Sequence, residues 1–232
     1  MSYYDFEKPM SVKDRRVFLA KKLLEMEKIN PSIQPVRAIS ARKKLGESYW
    51  AQAWCQHIES YADYDYRVDR GRSYLRQGAI LDLVVNGSTV ESKVYGVELY
   101  SVEIIFQPLN ENISQLMKKK FEDDFLSSLD IVSGNFSESL KEFLKDQDGL
   151  FPNPNELNYT CNCLDDADLC KHIAATLYGI GLRFDVDPSL FFTLRGLNPL
   201  SLVNSCTHQT NKDCVTASNS QNDASLFDID IL

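Results

Sequence analysis

The chain lacks any apolar run approaching the roughly 20 residues that a membrane-spanning helix needs, which excludes a helical membrane protein as the first reading. Its opening stretch, Met1-Ser-Tyr-Tyr-Asp-Phe-Glu-Lys-Pro-Met10, has none of the apolar core of a secretory leader, so the expected location is the cytoplasm. Internal repeats are absent, which excludes a solenoid or propeller. Histidine is scarce, at 3 in 232 residues, so each one is worth placing individually.

What is present is an ordinary globular composition, 44% hydrophobic and 25% charged, long enough to bury a sizeable core without help from a metal. In a reducing compartment the 6 cysteines read as metal ligands or buried thiols rather than disulfides. The net charge of −8 is unevenly spread: residues 1–80 carry 15 Lys and Arg against 10 Asp and Glu, and residues 81–232 carry 10 against 23. A basic front and an acidic back imply two kinds of partner surface, or a contact between the halves.

Periodicity predicts an α+β fold: a small antiparallel sheet with flanking helices, followed by a helical module that carries the cysteine cluster. Val17, Leu19, Ala20, Leu23, Leu24 and Met26 form the stripe of a first helix that ends at Asn30-Pro31. A second helix is expected from about Glu47 to Tyr61, with Trp50 and Trp54 on one face. Tyr64 to Tyr74 reads as a loop. A period of two then predicts strands at Ile80–Val85, Val90–Val97 and Tyr100–Gln107, with Asn86-Gly87 at the first turn. Helical patterns return at Ile113–Leu129 and Phe136–Leu144, and again from His172 to a stop near Gly181. The expected division is 1–35, N-terminal helix and linker; 36–110, basic loop and sheet; 111–150, helical segment; 151–203, cysteine-bearing module; and 204–232, a polar, disordered tail.

The cluster reads Cys161-Asn-Cys163, six residues, then Cys170-Lys-His172. Zinc takes four soft or borderline ligands in a tetrahedron. A C-x-C knuckle turns two sulfurs to one ion, and a C-x-H pair opening a helix supplies the other two ligands. Four protein ligands leave no open position, so the expected cofactor is a structural zinc rather than a catalytic one. Loss of a ligand is expected to loosen residues near 150–200 and to spare the front half.

This C-x-C…C-x-H pattern resembles the SWIM zinc finger. The flanks are similar to a bacterial SWIM family of the kind associated with SWI/SNF-type ATPases: Phe151 to Leu157 before the first ligand, Ile173 to Gly181 after the last, then Asp187 to Gly196. Trp50 to Trp54 and Tyr64 to Gly78 extend the resemblance over about residues 46–200, with a departure at Asp166-Ala167, where family members often carry an aromatic. The resemblance implies a zinc-binding module for DNA or protein interaction, with a SWI/SNF-type ATPase as partner, and establishes no catalytic activity.

The finger itself is too acidic to suit phosphate. Three thiolates and one zinc sum to a negative charge, and Asp165, Asp166 and Asp168 surround them with only Lys171 in opposition. The candidate nucleic-acid surface lies elsewhere, at Arg67, Arg70, Arg72 and Arg76 interleaved with Tyr66 and Tyr74, where forked guanidinium groups and stacking rings could hold a strand. Gly71 would admit a close backbone approach, and Arg42, Lys43 and Lys44 could extend the patch. The bland alternative is that these arginines pair with acidic residues of the back half.

Asp82 with Glu91 and Lys93 has the residue types of a metal-dependent nuclease, whose carboxylates hold magnesium while the lysine orients water. A hairpin register that sets Val85 against Val90 and Asp82 against Lys93 favours a plain cross-strand ion pair instead. His57 and Cys55 are expected to be packed side chains, and Cys206, His208 and Cys214 offer three ligands of an incomplete second site. The leading expectation is a non-enzymatic zinc protein that binds nucleic acid, a protein partner, or both. The alternatives are a purely protein-binding adaptor and a nuclease.

Overall fold

The structure, a computed structural model, describes residues 10–37, 45–61, 65–123, 130, 133–146, 149–165, 167 and 169–198. Arg42, Lys43, Lys44, Asp166, Asp168 and the stretch with Cys206, His208 and Cys214 lie outside the described residues.

Helix α1 (Val12–Ile29) opens at Ser11, whose hydroxyl accepts the Asp14 N–H, and stops at Asn30. Its expected stripe is only partly buried. Leu19 and Leu23 face inward, while Val17, Ala20 and Leu24 are exposed, so α1 is attached along a narrow seam. Helix α2 (Tyr49–Glu59) is capped by Ser48. It buries Trp50 and Trp54 completely, as its spacing predicts, against Phe106, Phe136, Phe151, Phe184, Phe191 and Phe192.

The predicted basic loop is helix α3 (Asp65–Gln77). Charge and Gly71 masked its period, yet Val68, Gly71 and Leu75 recur at helical spacing and are its buried positions. Gly71 serves packing: a Cβ there would meet Ala174 and Ala175 at 2.5–2.7 Å.

Strands β1 (Ile80–Asn86), β2 (Thr89–Tyr95) and β3 (Leu99–Phe106) form the expected meander. Val85 stands opposite Val90 and Asp82 opposite Lys93, with a bulge between Ile80 and Asp82. The ion pair expected across that register is not made. The Asp82 carboxylate accepts the Gln34 N–H at 2.7 Å, and Lys93 donates to Ser101 Oγ at 2.8 Å. The extended segment at Gln34–Val36 covers the β1 edge through hydrogen bonds to Ile80 and Leu83.

The periodicity did not reveal β4 (Leu157–Cys161), which pairs antiparallel with β3 and completes the order β1-β2-β3-β4 among the described residues. Helices α4 (Glu111–Asp123) and α5 (Glu138–Lys145) follow the sheet meander in sequence and precede β4. Helix α6 (Lys171–Val186) then crosses all four strands and packs on α2 and α3. It runs through Gly179 and Gly181 instead of stopping there. Ile80 and Leu83 crowd the first glycine, and Trp54 and Cys55 the second, so close contact, not chain termination, explains both. The short α7 (Ser189–Leu194) follows.

One continuous core runs from Leu19 to Leu194 across the expected boundaries at 110 and 150. At its margin, Arg195 is only 1% exposed. It donates to Gln107 O and Glu156 Oε1, both at 2.7 Å, while Glu156 Oε2 accepts the Asn153 N–H. This clamp fixes the turn from which β4 departs.

Candidate metal centre

The four predicted ligands converge. Cys161 ends β4 on its core-facing side, Cys163 follows two residues later, Cys170 is the N-cap of α6 and His172 lies in its first turn. Their ligand atoms all lie within 4.8 Å of one another, and among the described residues they form the one Cys, His, Asp and Glu group that could hold an ion. A zinc tetrahedron with bonds of about 2.3 Å to sulfur and 2.0–2.1 Å to nitrogen has edges of roughly 3.5–3.8 Å. His172 Nδ1 stands 3.8 Å from Cys161 Sγ and 3.9 Å from Cys170 Sγ. The donor set therefore fits zinc with little adjustment, and these residues would hold it.

The local electrostatics favour thiolate at Cys170. Cys161 donates to the Cys170 sulfur, which also accepts from His172 and the Ile173 N–H at the start of α6. These contacts outweigh desolvation and pull the Cys170 thiol down to about 4. Cys161, the proton holder of the pair, is pushed up. Adjacent thiolates repel one another, and a divalent cation bound between them would compensate that charge.

His172 is 1% exposed and held on several sides. Tyr100 stacks on its ring at 4.2 Å and Tyr74 meets it edge-on at 5.6 Å. A Cβ on Gly96 would come within 2.7 Å of Nε2. None of these neighbours was legible as part of the site, because Gly96, Tyr100 and Tyr74 lie 72 or more residues away in sequence.

Residues 144–179 match the SWIM zinc finger. That span holds all four ligands, β4 and half of α6. The chain is also 27% identical over 165 residues to the uncharacterized protein Rv2102 of Mycobacterium tuberculosis, an alignment covering 69% of this chain and 59% of that relative. The chain thus spans less than two thirds of the relative's length. No solved structure matches. The segment that matches the SWIM zinc finger carries a Cys/His cluster able to hold a metal ion, built into a mixed helix and sheet fold, and among the described residues no helix is long and apolar enough to cross a membrane.

The candidate nucleic-acid residues are dispersed around α3. Arg67 pairs with Asp165 of the finger at 2.5 Å. Arg72 pairs with Glu59 at 2.6 Å and donates to Tyr178 Oη. Tyr74 is half-buried against His172, and Arg76 is half-buried. Arg70 and Tyr66 are exposed, the guanidinium donating to the phenol oxygen at 2.9 Å. Arg67 and Arg72 are thus engaged by carboxylates, while Arg70 and Tyr66 stay at the surface.

Asp82, Glu91 and Lys93 line a shallow hollow of about 470 Å³ on the outer sheet face, where Asp82 accepts the Gln34 N–H and Lys93 donates to Ser101 Oγ. Glu91 stands opposite Glu103 on β3. His57 is packed, with Nε2 2.7 Å from Pro152 O, and burial holds its imidazole below the ordinary value. Cys55 is buried, its thiol pushed up to about 12 by desolvation.

Proposed function

We propose that this protein is a non-enzymatic, zinc-stabilised interaction module that grips another protein at the finger end of its sheet. The observation that carries the reading is the presentation of Leu164 at 98% and Val97 at 90% exposure. Leu164 follows the Cys163 ligand, and Val97 tips the β2–β3 turn. Because β4 runs antiparallel to β3 and leaves it at Asn162 beside Ser101, both tips project from the same end of the sheet, next to Leu99. Single exposed apolar residues are commonplace. Two on separate segments beside a rigid metal knuckle make an anchor for a partner.

A closed ligand set supports a structural metal and a reducing, cytoplasmic setting. The resemblance suggests a SWI/SNF-type DNA-dependent ATPase as partner. The test is cross-linked co-purification of the ATPase with the tagged full chain. A Leu164→Asp, Val97→Asp double variant that keeps one zinc should lose it, and equal recovery would overturn the reading.

A second reading, nucleic-acid binding through α3, is favoured by Arg70, which meets no carboxylate among the described residues, and by Tyr66 beside it at 70% exposure. Arg70→Ala should then weaken binding to many sequences alike and lower the salt slope by about 0.9 per lost duplex contact. Binding that is unchanged by this substitution removes α3 as the footprint and leaves the protein-binding adaptor.

A further inference from the structure

The metal centre is connected to a residue 157 positions away from its histidine ligand. Arg15, in the first turn of α1, lies with its guanidinium over the Tyr74 ring at 5.0 Å. Its Nη2 donates to Tyr95 O and Gly96 O, both at 3.3 Å. Tyr74 in turn meets the His172 ring, and Gly96 is the residue whose backbone closes on His172 Nε2. Phe18, one turn further along α1, packs edge-on against Tyr95 at 5.4 Å. One face of α1 therefore grips both objects that define where the imidazole stands.

The imidazole needs that support. Nδ1 is the nitrogen turned to the sulfurs, at 3.8 and 3.9 Å, and Nε2 is buried with no hydrogen-bond partner. A ligating histidine is ordinarily fixed by an acceptor on its other nitrogen, which sets tautomer and ring angle. Here packing takes the place of that acceptor: Tyr100 stacks on the ring, Tyr74 abuts it and the Gly96 backbone closes on Nε2. Ring orientation then depends on how firmly Tyr74 and the Tyr95–Gly96 turn are held, and Arg15 holds both.

We infer that Arg15 is a positioning residue for the metal site, acting on His172 through Tyr74 and the Tyr95–Gly96 turn, so that zinc binding and the docking of α1 stabilise each other. The coupling is reciprocal by thermodynamic necessity. Helix α1 is the natural element to respond, because only Leu19 and Leu23 of its residues are fully buried.

The inference rests on the zinc reading, so zinc content is first measured on the full chain. A chain without zinc sinks that reading, and the coupling is tested only on protein carrying one ion. Release of zinc to a chromophoric chelator should be about 10-fold faster in Arg15→Ala, at the lower end of what outer contacts of a metal site contribute. Arg15→Lys, which keeps a cation beside Tyr74 but loses the fork, should fall between. Leu24→Ala, on the exposed side of α1, should match the parent. The cobalt-substituted protein should show altered ligand-field bands in Arg15→Ala and Gly96→Ala, a change that a merely looser fold would not produce. If Arg15→Ala does not fold, hydrogen exchange on the parent decides. Faster exchange across residues 12–29 after zinc removal supports the coupling. Unchanged exchange there, or release from Arg15→Ala no faster than from Leu24→Ala, overturns it.

Discussion

Gly71 and Ala174 meet backbone to side chain where α3 crosses α6: a Cβ on Gly71 would stand 2.5 Å from the Ala174 Cβ and 2.6 Å from its carbonyl carbon. Alanine is the better helix former by roughly 0.5–1 kcal/mol, but overpacking a well-filled crossing costs about 1–3 kcal/mol. Backbone atoms cannot swing aside, so the steric cost wins. Gly71→Ala should lower the urea midpoint, with a net loss of about 1–2 kcal/mol. A raised midpoint would show slack at the crossing.

Removing a zinc ligand should reach further than the sequence suggests. Cys170 caps α6, and Cys161 ends a strand hydrogen-bonded to β3. Cys170→Ser should lose the metal by elemental analysis. Amide exchange should then rise in β3 and α3 as well as across 150–200, with no intact front half left standing. Protection retained throughout 65–106 would contradict this.

The cysteine spacing pointed to the four candidate ligands because metal coordination is a local code, and three of them sit within ten residues of one another; the walls around His172, from Tyr74, Gly96 and Tyr100, come from distant segments and left no such signal. The strands β1 to β3 were equally legible, since one buried and one wet face produce an alternating pattern. Helix α3 was not, because its inward positions include a glycine and its outward ones a run of arginines, so helical period and loop composition coincided. Strand β4 is five residues long and follows Pro152-Asn153-Pro154, where turn residues dominate the local pattern. The fates of Arg67 and Arg72 depended on carboxylates at Asp165 and Glu59, and that pairing exists only after folding.

Two arginine pairs should behave differently on truncation. Arg195 is buried with Glu156, and stripping one partner from a buried pair costs roughly 3–5 kcal/mol. Arg195→Ala should therefore fall near the lower figure, because Glu156 retains some access to water. Arg67 and Asp165 are each about a third exposed, and pairs of that kind contribute about 0–1 kcal/mol. Chemical denaturation of both variants should preserve this order, and an Arg67→Ala loss equal to that of Arg195→Ala would contradict it.

His57 should contribute an acid-side weakness. Its folded pKa is lowered by burial, against the pull of the hydrogen bond to Pro152 O. The unfolded chain therefore takes up the proton first. Stability from this group is complete above the ordinary value of about 6.5 and declines as pH falls through it. His57→Gln, which keeps a donor toward Pro152, should flatten the fall in stability below about pH 6.5. Because acid also strips metal, the measurement is the difference in slope between the two proteins at saturating zinc. Parallel slopes would exclude the imidazole as the cause.

The ladder between β3 and β4 makes this finger a poor candidate for transplantation. Its strand borrows hydrogen bonds from Ser101 to Gln107, its helix borrows a floor from four strands, and its histidine borrows walls from Tyr74 and Tyr100. A cassette cut at 144 and 179 would carry every metal ligand and almost none of the surfaces that orient them. A chimera meant to move this metal centre intact must therefore move the sheet and α3 with it. Sequence drift in Gly96, Tyr100 or Gly71 should constrain the finger as tightly as drift in the residues beside its cysteines.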